Sequence, residues 1–217
     1  MSVQTVDEPW ENPMPRTDDV HSRQERKRIA TRETIVDAAE RLLEEGGPDA
    51  VTLPAVSNLA DVALQTIYNR VGGRNAVLLA VAERAYAANR VYVDSAYREP
   101  GTPSDRVRAA ALAYARFAIE RPHQFRLLLD PPDLPEALEG IADLADEQNG
   151  KLAAALRDGI ADGTIRSDID PALTSTLLWA MFNGVLALSW RADRHRLDPL
   201  EVFAQLDDII NDGLRPR

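Results

Sequence analysis

The chain is 217 residues long, 45% apolar, carries a formal net charge of −10 and contains no cysteine. That length accommodates two modest domains with buried cores, and the missing thiols exclude disulfides, thiolate metal sites and cysteine nucleophiles. His21, His123 and His195 stand far apart without ligand spacing, so no metal and no cofactor is expected.

No stretch alternates with period two, and Ala, Leu, Arg, Asp and Glu dominate, so the expected fold class is all α. The N-terminus lacks a basic-then-apolar leader, and no apolar run reaches the roughly 20 residues that span a bilayer. The reading is therefore a cytoplasmic protein with no membrane partner.

Residues 1–20, with Pro9, Pro13, Pro15 and five acids, have neither periodicity nor apolar content and read as a disordered tail. From Ser22 the pattern changes. Ser22 with Glu25 has the spacing of a capping box, and Ile35, Ala38, Ala39, Leu42 and Leu43 then form a helical stripe that stops at Gly46 and Gly47. The opening turn would carry Arg23, Arg26, Lys27 and Arg28, cations where a helix dipole favours anions. A nearby phosphate backbone would account for them; so would a solvated run paired to Glu25.

Residues 52–74, TLPAVSNLADVALQTIYNRVGGR, read as two short helices joined by a tight turn. Thr52 is the expected N-cap, with Pro54 in a first turn that tolerates it. Leu53, Val56, Leu59 and Ala60 should face inward, followed by Leu64, Ile67 and Val71 in the second helix. Gln65, Thr66, Tyr68 and Asn69 are left on the outer arc. Carboxamides pair with adenine edges and hydroxyls suit bases or phosphates, so this helix is the candidate for major-groove readout. The alternative is an ordinary solvated helix face.

The acidic total does not oppose nucleic acid, because the charge is unevenly placed. Residues 21–90 carry ten basic and nine acidic side chains, whereas residues 91–217 carry fourteen and twenty-one. Gly72 and Gly73 lack the Lys-Ser/Thr of a phosphate loop and read as a helix break. A helix over about 75–97 would run from the first domain into the second. Pro100, Gly101 and Pro103 then break the chain before a helix capped by Ser104 and running to about Arg121, and Pro122 opens the short HQFRLLL segment. A long helix over about 134–162 and the run 172–190, apolar around most of its circumference, come next. A last amphipathic helix after Pro199 carries Leu200, Phe203, Leu206, Ile209 and Ile210. The 172–190 and 199–213 helices of two chains would pair as a four-helix homodimer interface.

The stretch AVSNLADVALQTIYNRVGGRNAVLLAV resembles the DNA-binding signature of the TetR family of transcriptional regulators. Thr66, Ile67 and Tyr68 stand at its Thr-Leu-Tyr, Ala60 and Val62 at its turn, and Ile35, Ala38, Ala39 and Gly46 in its upstream helix. The likeness covers roughly residues 28–84. Departures are Asp61 for the turn Gly, Ala63 for the capping Ser, Val71 for a Phe and Arg74 for a Lys. In the C-terminal half, FAIERPHQFRLLL and WAMFNGVLAL resemble a domain type with Trp-x-x-x-His-Gly; here Trp179, Asn183 and Gly184 keep the spacing with Asn for His.

The resemblance implies a homodimer on a palindromic double-stranded operator, acting as a repressor released by a small-molecule effector. On the outer-face chemistry, base contacts are expected from Gln65, Thr66 and Asn69, and phosphate contacts from Thr52, Tyr68, Arg70, Arg74, Arg23, Arg26, Lys27 and Arg28. Tyr114, Phe117, Phe125, Trp179 and Asn183 are candidates for a ligand cavity because aromatic and polar groups mix there. The competing readings are an activator of the same type and a helical adaptor that binds proteins through the 172–190 surface. An enzyme is not expected: the chain has no Gly-x-Ser-x-Gly, no metal-ligand cluster and no dinucleotide fingerprint. The expected domains are therefore a tail over 1–20, a helix-turn-helix domain over 21–74 and a helical ligand-binding and dimerisation domain over 75–217.

Overall fold

A computed structural model of the chain describes residues 17–131, 133–191 and 193–216. These residues are helical, with no strand among them: α1 (Thr17–Gly46), a 3-10 turn (Pro48–Ala50), α2 (Leu53–Ala60), α3 (Leu64–Arg70), α4 (Arg74–Tyr97), α5 (Pro103–Glu120), α6 (Pro122–Leu129), α7 (Pro135–Ala161), α8 (Pro171–Ser189) and α9 (Pro199–Leu214). The all-α expectation holds.

Helix starts follow one local rule. Six of these helices have proline in the first two positions, where a missing N–H costs nothing. Four of them add a side-chain cap, Thr52 for α2 and three more. Asp170 accepts from the amides of Ala172 and Leu173 at 2.8 and 3.1 Å, Asp198 from Leu200 and Glu201 at 2.9 and 3.3 Å, and Thr102 forms a full capping box with Asp105.

Two expected starts are corrected. The cap of α5 is Thr102 rather than Ser104, because Pro103 supplies the first helical residue. The helix expected from Ser22 begins instead at Thr17, so Ser22 lies inside α1 rather than at its N-cap position. This removes the clash between the basic run and the helix dipole, since Arg23 to Arg28 sit beyond the first turn. It also makes the last four residues of the expected tail helical, while residues 1–16 lie outside the described part.

The first core gathers Ile35, Val36, Ala39 and Leu43 of α1, Val56 and Ala60 of α2, Ile67 of α3, and Val77, Leu78 and Val81 of α4. Leu127 of α6 and Ile141 of α7 join the same cluster, so the head formed by α1 to α3 is packed onto the body rather than hung from it. A second core stacks Phe117, Phe125, Phe182, Leu186, Phe203 and Leu206 between α5, α6, α8 and α9. α4 passes through both, with Ala85 in the second.

α6 is a further link between head and body. The Gln124 amide donates to the Glu44 carboxylate at 2.7 Å, Leu127 enters the first core and Phe125 the second. On the other side of the head, the Arg84 guanidinium of α4 bonds to Glu33 and Asp37 and reaches Glu40, all on α1.

α8 has the 19 residues expected of it and meets the length and hydropathy of a membrane-crossing helix. Yet Ser175, Leu178, Phe182, Leu186 and Ser189 are buried within the protein, and the helix packs on α7 and α9. It is a helix of this fold. Leu173, Leu177, Met181 and Leu188 remain exposed along its other side, as do Leu200 and Ile209 of α9.

Candidate nucleic-acid interface and buried cavity

α2 and α3 are joined by Asp61, Val62 and Ala63. Asp61 takes the left-handed conformation, φ 51° and ψ 46°, that favours glycine and that a short polar side chain tolerates. The Ser57 hydroxyl donates to the Val62 carbonyl at 2.6 Å and fastens the turn, and Thr52 caps α2 by accepting from the Ala55 amide at 3.3 Å.

α3 itself is poorly equipped to stand alone. It has seven residues, and its N-cap, Ala63, offers no side-chain bond. An isolated helix needs about 12–15 residues to be even marginal, and the missing cap forgoes about 0.5–2 kcal/mol. Burial of Ile67, which is fully enclosed, contributes about 1.5–3 kcal/mol and offsets this. Val62 and Val71 pack beside it, and the Gly72 amide closes the C-terminal end by donating to the Ile67 carbonyl at 3.1 Å. The helix is held from behind.

The outer face presents Gln65, Tyr68, Asn69 and Arg70 to solvent, with Thr66 half-buried. Tyr68 is 54% exposed. The Gln65 amide donates to the Asn69 side-chain carbonyl at 3.1 Å, so the two carboxamides lie side by side one helical turn apart. Leu59 and Leu64, expected to face inward, are exposed. Side chains tilt toward a helix's N-terminus. Leu64, first in α3, is thereby thrown past the turn instead of onto α1, and adds an apolar spot suited to a thymine methyl beside the polar four.

Arg23, Arg26, Lys27 and Arg28 lie exposed on α1. Arg28 bonds to Glu25 at 2.7 and 2.8 Å, which is the solvated pairing weighed from the sequence. That bond chiefly holds the Glu25 carboxyl below its usual range, and the Arg70 charge adds to the effect. The basic stretch of α1 and the end of α3 therefore share one side of the molecule. Arg74 departs from its expected role. Its guanidinium is half-buried and donates to the Val51 carbonyl at 2.8 Å and the Pro48 carbonyl at 2.6 Å, bracing the loop before α2. Five donors on a long stem suit that brace, which a free phosphate contact would break.

In the body, α4, α5, α7, α8 and α9 line a partly open cavity of about 80 Å³. Tyr86, Asn89, Val93 and Tyr97 of α4 form one wall; Tyr114, Gln148, Trp179, Phe182 and the Arg108–Asp207 pair are among the others. The Tyr114 hydroxyl donates to the Asn183 side-chain Oδ1 at 2.7 Å, and Phe182 stacks on Phe203 at 5.4 Å. Burial pushes the phenols of Tyr114 and Tyr97 upward and that of Tyr86 to about 12, so all three stay protonated near neutrality.

Of the sequence-derived cavity candidates, Tyr114 and Trp179 line the cavity; Asn183 is outside the lining and accepts from the Tyr114 hydroxyl. Phe117 and Phe125 do not. Both are fully enclosed in the second core, edge-on to each other and to neighbouring rings, where large aromatics stabilise packing rather than bound molecules.

Residues 35–81 match the family model for bacterial regulatory proteins of the tetR family, and residues 100–214 match a tetracyclin repressor-like C-terminal domain. The chain belongs to the TetR family. As a member it is a DNA-binding transcriptional regulator, and TetR regulators are not enzymes. Solved structures share the fold. A protein of unknown function from Rhodococcus sp. RHA1 superposes with a TM-score of 0.73 at 22% identity, over 85% of this chain and 95% of that one. PfmR, a TetR family regulator from Thermus thermophilus, gives 0.65 at 22% identity, over 83% and 98%. A TetR/AcrR regulator from Thermobifida fusca gives 0.69 at 21% identity, over 85% and 98%. No curated protein sequence is a significant match.

The TetR signature pointed to α3 but to little of the cavity. Asn89 and Gln148, which are not among the sequence-derived candidates, carry side-chain nitrogens that are buried without a hydrogen-bond partner, and Gln148 an oxygen as well. A signal existed for Asn89: it interrupts the inward face of α4 between Tyr86 and Val93, at spacings of three and four. Gln148 follows Asp146 and Glu147 in sequence and looks like part of a solvated run.

Proposed function

We propose that this TetR regulator is a cytoplasmic homodimeric repressor that binds a palindromic operator through α3 and leaves it when a small molecule enters the cavity of the body. Base readout falls to Gln65, Thr66 and Asn69, with Leu64 beside them. Thr52, Tyr68, Arg70, Arg23, Arg26 and Lys27 supply phosphate contacts, and Arg74 positions the pair of helices. Dimerisation uses the exposed apolar side of α8 together with Leu200 and Ile209 of α9. Two copies of one readout helix then face two symmetric half-sites.

The observation that carries this reading is the division of α4. Its first half, with Val77, Leu78 and Val81, is part of the head core, and its second half, with Tyr86, Asn89 and Val93, is a cavity wall. A ligand that favours a different placement of the second half must displace the first, and with it α3. It weakens operator binding by the difference in its affinity for the two placements, typically about 1–3 kcal/mol.

The test begins by selecting bound duplexes from random DNA and measuring affinity by fluorescence anisotropy. A palindrome with half-sites about one helical turn apart is expected, with affinity falling on a log–log salt plot by about 0.9 per neutralised phosphate. Recovery of no preferred sequence, or equal affinity after Gln65→Ala with Tyr68→Ala, would remove α3 from the role.

A further inference from the structure

Three features of the cavity bear on what it accepts. The first is unmet hydrogen bonding. Asn89 is 3% exposed and its Nδ2 has no partner; Nε2 and Oε1 of Gln148 are likewise buried and unpartnered. A buried amide without a partner is a standing penalty that a suitable guest atom relieves. The second is charge. The basic and acidic side chains in the lining are Arg108 and Asp207, and they are spent on each other, with Arg108 Nε donating to Asp207 at 2.7 Å. An anionic or cationic guest would have to break that pair or remain uncompensated in an apolar cavity. The third is shape: the rings of Tyr86, Tyr114, Trp179 and Phe182 surround a volume of about 80 Å³, small beside the roughly 300–1,000 Å³ of most ligand pockets.

We propose that the cavity binds a neutral, largely apolar single-ring compound bearing one carbonyl or hydroxyl oxygen, which accepts hydrogen bonds from the Asn89 and Gln148 amides. An aryl ketone is the simplest representative. The proposal rests on the reading of this cavity as the effector site, and it adds the ligand class. A compound with a donor beside its oxygen also satisfies Gln148 Oε1. Specificity comes from the amides rather than the rings, because a site built around orphaned polar groups rejects an analogue that cannot bond to them more strongly than apolar walls reject a misshapen one.

The experiment titrates full-length protein with acetophenone, benzoate and ethylbenzene, three single-ring probes of similar size, and follows binding by ligand-detected NMR. Acetophenone should bind at least about 10-fold more tightly than either of the others. Asn89→Leu and Gln148→Met should each weaken acetophenone by about 3- to 10-fold while strengthening ethylbenzene, with melting temperatures at or above wild type, because each removes an unpartnered amide. If Asn89→Leu fails to fold, Gln148→Met decides alone. Benzoate binding as tightly as acetophenone, unchanged acetophenone affinity in a folded amide variant, or no binding of any probe would overturn the ligand class. Operator anisotropy separates this from the regulatory reading. Acetophenone that binds without releasing operator supports the ligand class and removes its effector role. Release by benzoate alone removes the class and keeps the role.

Discussion

Gln65 and Asn69 on α3 and Asn89 and Gln148 in the cavity are the same chemical group in opposite surroundings. The first pair is exposed and bonded to itself at 3.1 Å, so turning either amide to a base edge exchanges one bond for another in water. The second pair is enclosed, with at least one atom of each unbonded. Leaving such an atom unsatisfied costs about 1–3 kcal/mol, and a fitting ligand recovers it. The contrast teaches where discrimination resides. Under the proposed function, sequence preference on α3 has to be assembled from several weak contacts and anchored by phosphates, whereas in the cavity a single missing acceptor is felt in full.

The strongest way to break the comparison is to disrupt the proposed dimer interface. Leu177→Glu with Leu188→Glu places charge in the exposed stripe of α8 and should give a particle of 24.0 kDa by light scattering, with operator binding lost; an unchanged dimer mass would put the interface elsewhere. Next is the support behind α3. Ile67→Ala should cost about 2–5 kcal/mol of stability, seen as a lowered midpoint in urea, since the residue is fully buried.

Arg74 and Arg70 then separate bracing from contact. Arg74→Ala should lower stability by about 1.5–3 kcal/mol through its lost bonds to Val51 and Pro48 and leave the salt slope of binding unchanged. Arg70→Ala should reduce that slope by about 0.9 and leave stability alone. A changed slope for Arg74→Ala would return it to the DNA backbone.

The smallest effect sharpens the contrast. Ala63 already has the extended conformation of an N-cap, φ −65° and ψ 146°, so Ala63→Ser should add about 0.5–2 kcal/mol to stability without altering the cavity. A melting temperature at or below that of the parent would mean that the turn, not the cap, governs α3.

Much of the head was legible because its constraints are local. Asp61 stands where the turn needs a left-handed residue, Thr52 and Pro54 mark a helix start, and Ile67 lies between outward-facing neighbours at helical spacing. Leu59 and Leu64 misled because a two-turn helix offers too few positions to define a stripe, and Ser22 with Glu25 misled because a capping spacing also occurs inside a longer helix. Arg74 was misplaced because an arginine's reach does not reveal which way it points. In the body the difficulty is different in kind. Phe117 and Phe125 look like cavity residues in sequence and are core, while the orphaned amides of Asn89 and Gln148 become visible only once five helices are assembled around them.

The brace from Arg74 to the carbonyls of Pro48 and Val51 ties the first residue of α4 to the loop that launches α2. Under the proposed function, tilting α4 would swing the helix pair as one piece and leave its internal geometry intact. An isolated half-operator should then be bound equally well with and without inducer, and induction should be measurable on the paired site alone.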